Sequence, residues 1–199
     1  DLAPLLPAFL ITGGILAVIV ADLLGRGRAP GAPLTIAVGA LLLAAWAAMG
    51  MPTDGRLALG ALKADRFGQV ITLFCCSTGV VSLLATTRGE AFRKPGGEFL
   101  TLVLVSVLGM SVLSMAVDLV TLYLAFEMVS IPSYVLVGMR RADRLATEAS
   151  MKYVLFGAVS SGLMLFGFTW LVGLSGGTSL EALRVALANG AAEIGRASC

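Results

Sequence analysis

The sequence predicts an all-α, polytopic membrane protein with about six transmembrane helices, and three observations carry that prediction. Hydrophobic residues make up 58% of the 199-residue chain and charged residues only 13%, whereas a soluble domain has roughly a quarter of its residues charged. Mean hydropathy is +0.95. The apolar residues run in blocks, and Arg and Lys fall in short clusters between the blocks. Such a chain has too few charges to cover a soluble surface, and its basic clusters sit where loops between membrane spans carry them. A net charge of +2 without a basic stripe predicts no nucleic-acid partner. The expected surrounding is the lipid bilayer.

About 20 apolar residues cross a bilayer, and six segments meet that requirement: 4–24, 33–50, 68–87, 98–117, 118–139 and 149–173. The first is too long for a signal peptide and has no cleavage-like end. The third contains Cys75 and Cys76 side by side, where they read as small hydrophobic residues. The fourth and fifth abut at Asp118. Membrane-spanning strands would need about 10 residues of strict alternation, and no segment alternates in that way. After the sixth span, Gly176-Gly177 breaks the helix and Thr178 or Ser179 can cap another through Ala182, Leu183, Val185, Ala186 and Leu187. That helix is either interfacial or the lead-in to a seventh span.

The chain opens at Asp1 without a Met and stops in a polar stretch, so it is expected to be part of a longer protein. Residues 193–199, Glu193 to Cys199, match the translation of a common sequencing adapter and are expected to be non-native, which leaves 1–192 for fold reasoning.

Orientation follows from the basic residues. The first, third and fifth loops hold Arg26, Arg28, Arg88, Arg93, Lys94, Arg140, Arg141 and Arg144, eight in all. The second loop and the stretch after the sixth span hold Arg56, Lys63, Arg66 and Arg184, four in all, and the fourth loop has none. The positive-inside rule then places the odd loops in the cytoplasm and the N-terminus outside.

Two charges fall inside spans, Glu127 and Lys152, whereas Asp22, Glu98 and Asp118 lie at span ends. Glu127 sits about 15 Å from either interface at 1.5 Å per residue. A carboxylate at that depth costs several kcal/mol unless it is paired, hydrated or protonated, which makes it a functional candidate by default; the bland alternative is an acid that staples helices through a fixed hydrogen bond. Tyr123, Glu127, Ser130 and Tyr134 are spaced four, three and four, so they form a polar stripe on one helix face. Pro132 cannot donate to the carbonyl of Met128, leaving an acceptor one residue from the acid, although a packing kink explains the Pro alone equally well. Lys152 lies near the Arg-rich end with Glu148 four residues before it. It reads either as a snorkelling Lys in a helical ion pair or as a proton-accepting site at a cytoplasmic entrance. Gly157 with Ser161, and the small residues from Gly109 to Met115, read as helix-packing faces. His is absent, and no nucleophile and base stand at a catalytic spacing, so no catalytic, cofactor-binding or metal-ligating set is predicted in this chain.

Gly97-Glu98-Phe99-Leu100, Leu108-Gly109-Met110, the run from Asp118 to Leu136, and Glu148-Ala149-Ser150-Met151-Lys152-Tyr153, followed by Gly157, Ser160, Ser161 and Gly167, form an ordered set. It resembles the antiporter-like membrane subunits of proton-pumping NADH-quinone oxidoreductase, respiratory complex I, and within them subunit N. The resemblance implies an N-terminal part of an inverted-repeat fold in the inner (plasma) membrane of a bacterium, with other membrane subunits as partners. It implies that NADH, FMN, iron–sulfur clusters and quinone belong to the parent complex. Glu127 and Lys152 match the family's proton-translocation residues, Glu127 as the acid that tunes a central Lys placed beyond residue 199. The same residue pattern suits a subunit of the multi-subunit Na⁺/H⁺ antiporters or of a membrane-bound hydrogenase, and a purely structural scaffold subunit is the alternative from another class.

Overall fold

The computed structural model describes residues 3–25, 31–52, 55–57, 60–86, 96–140 and 142–197. After a 3₁₀ turn at Ala3–Leu5, the helices are α1 (Leu6–Gly25), α2 (Ala32–Met49), α3 (Arg66–Thr86), α4 (Gly97–Met115), α5 (Leu119–Val137), α6 (Arg144–Ser175) and α7 (Leu180–Ala197). The first six are long and apolar enough to cross a membrane, as the six hydrophobic blocks predict.

Short polar side chains set the helix ends. Asp65 accepts the amide of Gly68 at 2.8 Å and opens α3. Asp118 accepts from Val120 and Thr121 at 3.0 and 3.2 Å, and Asp143 from Leu145 and Ala146 at 3.0 and 3.4 Å, each satisfying first-turn amides that have no helical partner. Because Asp143 begins it, α6 is 32 residues long where hydropathy predicted 149–173. At 1.5 Å per residue it is about 48 Å, well beyond a hydrocarbon core of about 30 Å. It ends at Gly176, whose φ of 68° lies in the left-handed region that glycine enters without a Cβ clash. Ser179 then caps α7, accepting from Ala182 at 3.1 Å.

Two short strands, β1 (Gly55–Leu57) and β2 (Leu62–Ala64), pair antiparallel with Leu57 opposite Leu62. The sequence predicts helices alone. Three-residue strands are too short to register as alternation, and β2 is held by a bridge from Leu62 to Ala116 in the α4–α5 link. In that link Val117 donates to Ala61 at 3.0 Å, while Leu119 donates to Thr178 at 2.8 Å and Leu180 to Val117 at 3.0 Å. The second, fourth and sixth connections therefore meet at one end of the bundle. At the other end the amide of Gly97 donates to Asp22 at 3.3 Å. Successive helices run up and down, as spans joined by short loops must.

The core draws on α1 to α4, through Ile11, Val18, Leu41, Cys76, Leu83, Leu100 and Leu104, all fully buried. Cys75 and Cys76 are free thiols inside it, serving as the small hydrophobic residues expected of them. α5 packs on α4 and α6 on α5, and no residue of α6 is buried.

Candidate functional site

Between α5 and α6 the interior changes character. Three hydroxyls join the two helices where apolar side chains join the first four. Ser150 donates to the carbonyl of Tyr134 at 3.0 Å. The hydroxyl of Ser133 lies 3.2 Å from that of Tyr153 and donates to the Ser130 carbonyl at 2.6 Å. Ser161 donates to Oε1 of Glu127 at 2.5 Å. Glu127 is eight residues from the start of α5 and ten from its end, about 12 and 15 Å along the axis.

Tyr123, Glu127 and Tyr134 line one groove of about 550 Å³, which Ile131 extends on α5 and Val154, Ala158 and Ser161 complete from α6. Three of the four stripe residues thus share a surface. Ser130 is not among the groove residues, and its carbonyl serves Ser133. Pro132 is buried, and its ring nitrogen has no proton to give the Met128 carbonyl. At that turn α4 comes close: a Cβ added to Gly109 would lie 2.9 Å from Met128 Cβ and 3.1 Å from its backbone carbon. Tyr134 stacks edge-on against Tyr153, ring centres 4.7 Å apart, and its hydroxyl rests where a side chain at Gly157 would stand.

Lys152 lies elsewhere. Its Nζ donates to Glu148 at 2.6 Å, and its side chain is 66% exposed. Nine residues separate it from Ser161, which at 3.6 residues per turn is half a turn out of phase, so Lys152 occupies the face of α6 turned away from Glu127. Phe156, Val159, Leu163, Phe166 and Trp170 share that outer face, all well exposed. The structure brings Glu127 to Ser161 and not to Lys152. The sequence groups Ser161 with Gly157 as a packing face, and its place one turn after that glycine is the signal that both face α5. Gly109 and Gly157 do mark helix contacts, as expected.

Among the described residues one hydroxyl bonds this carboxylate beside an open groove, and such a carboxylate can exchange partners more readily than one locked in several bonds. The family described as NADH:quinone oxidoreductase/Mrp antiporter, TM matches residues 116–199, the segment that holds this site. NADH-quinone oxidoreductase subunit N of Anaeromyxobacter sp. (strain Fw109-5) is 39% identical over 181 residues, covering 89% of this chain and 35% of that protein.

Through residues 116–199 the chain matches the NADH:quinone oxidoreductase/Mrp antiporter family.

A second relative, NADH-quinone oxidoreductase subunit N 2 of Sorangium cellulosum (strain So ce56), is 35% identical over 196 residues, covering 91% of the chain and 38% of its own length. The chain therefore spans little more than a third of these relatives. Two solved structures share the fold. One is the membrane-bound sulfane sulfur reductase, an archaeal respiratory membrane complex, with a TM-score of 0.78 at 20% identity over 92% of this chain and 39% of that one. The other is respiratory complex I from Thermus thermophilus with bound aureothin, with a TM-score of 0.71 at 24% identity over 87% and 38%. At these identities the likeness is one of fold.

Proposed function

We propose that this chain is the N-terminal part of a proton-translocating membrane subunit of NADH-quinone oxidoreductase, moving protons through Glu127 while the redox chemistry proceeds in other subunits. The observation that carries the reading is a carboxylate at mid-membrane depth that accepts from the Ser161 hydroxyl and borders a groove. In this reading NADH, FMN, iron–sulfur clusters and quinone are held by the rest of the complex, and the partners of this chain are other membrane subunits. Residues 1–192 form one portion of an antiporter-like domain in a bacterial inner membrane with the N-terminus outside.

The physical work is electrostatic. A buried ammonium brought near Glu127 is favoured in its charged form, and when the carboxylate turns away that ammonium gives up its proton. Lys152, paired with Glu148 on the outer face, handles protons near the Arg-rich end and does not serve as the direct partner of Glu127. Tyr123 and Tyr134 line the groove, and Pro132 leaves a carbonyl free for water beside the acid.

The test is Glu127→Gln in the intact complex. Assembly is retained and NADH-driven acidification of inverted vesicles falls; normal pumping overturns the proposal. Normal pumping by Glu127→Gln together with lost assembly in Glu127→Ala would make the acid a structural staple. A second reading, a cation/proton antiporter subunit, is favoured by the family description, which names Mrp antiporters beside NADH:quinone oxidoreductase. Sodium-dependent, NADH-independent proton exchange in vesicles would select it.

A further inference from the structure

We propose that Ser161 is the positioning residue for Glu127: its hydroxyl holds the carboxylate turned onto α6 and is the partner the acid must leave before it engages a cation. The inference rests on the proton-handling role proposed for Glu127.

The default for a hydroxyl in a spanning helix is its own backbone. Thr12, Ser77, Thr78, Ser106, Ser111 and Thr169 all donate to the carbonyl four residues earlier, a bond available at every such position. Ser161 has the same option, toward Gly157, yet its hydroxyl crosses to Glu127 at 2.5 Å. The crossing is possible because the helices are close one turn away, where Gly157 has no side chain to meet the Tyr134 ring; a Cβ there would stand 2.9 Å from Cε1. A carboxylate has several acceptor sites, and a single neutral donor orients it without saturating it. An ammonium entering the groove outcompetes that donor, since ion pairing in a low dielectric exceeds a hydroxyl bond. When the ammonium withdraws, Ser161 recovers the acid and can still fall back on its own helix.

The experiment uses the assembled complex, with protons pumped per electron measured in vesicles and the protonated-carboxyl stretch read by infrared difference spectroscopy. The Glu127 band is identified by its absence in Glu127→Gln. Ser161→Ala lowers pumping per assembled complex by roughly five-fold, the fold-change of one lost hydrogen bond, and moves the band to higher wavenumber. Ser161→Thr, which keeps the hydroxyl, restores both, and Ser160→Ala on the exposed side of α6 leaves both unchanged. An unmoved band with normal pumping per complex in Ser161→Ala, including the case where assembly alone drops, overturns the positioning role. Should Glu127→Gln itself pump normally, the reading beneath it fails instead, and the two failures are distinguishable.

Discussion

A carboxylate halfway through a bilayer has lost most of its hydration, so whatever replaces the water decides what it can do. Among the described residues, the group that meets Glu127 is the hydroxyl of Ser161. Depth could be read from the sequence, because the acid's distance from both ends of a hydrophobic run is a matter of counting. The partner could not: a serine in the apolar stretch of α6 looks like any small packing residue, and only the crossing of two helices reveals that it meets an acid 34 positions earlier. Lys152 shows the converse. Its partner Glu148 stands four residues earlier and is legible from helical spacing, and the half-turn between Lys152 and Ser161 puts Lys152 and Glu127 on opposite sides of α6. Lys152→Met accordingly lowers proton transfer less than Glu127→Gln does, measured as pumping per NADH oxidised; an equal or larger loss would place Lys152 in the same switch. Removing an exposed ion pair of this kind costs at most about 1 kcal/mol in stability, so assembly survives.

Helices α4, α5 and α6 meet through two glycines with different neighbours. Gly109 faces the Cβ and backbone of Met128, which cannot swing aside, so Gly109→Val forces α5 off α4 and destabilises the subunit by about 1–3 kcal/mol, seen as a lower Tm of the detergent-solubilised complex. Gly157→Ala displaces the Tyr134 hydroxyl, the end of a side chain, and costs less. Equal Tm losses for the two would contradict this difference. Element boundaries were less legible than element identities. Hydropathy marks where lipid contact is tolerable, whereas Asp143 decides where α6 starts, and a capping bond is invisible to an average over apolar residues. The β1–β2 hairpin escaped for a related reason: its short strands depend on Ala116 and Val117, far along the chain, and nothing local to residues 55–64 announces them.

Across the whole molecule, a tightly packed set α1 to α4 supports α5, which supports an α6 with no buried residue. The site therefore lies on the side where the structure is least covered, and the chain spans little more than a third of its relatives' length. The up-and-down course places Lys63 and Arg140, both well exposed, at opposite ends of the bundle. The proposed orientation, with the N-terminus outside, predicts that Lys63→Cys reacts with an impermeant maleimide in intact cells and Arg140→Cys only after permeabilisation; the reverse order inverts the orientation. The six spans and their alternation were legible because a bilayer imposes length and apolarity on each of them, while the coupling of one acid to one serine is a tertiary event that no such rule prescribes. The proposed handling of the proton by Glu127 is tested most directly by counting protons translocated per electron in vesicles that hold the intact complex with Glu127→Gln. The expected ratio is well below that of the unmodified complex at the same level of assembly. An unchanged ratio would contradict it.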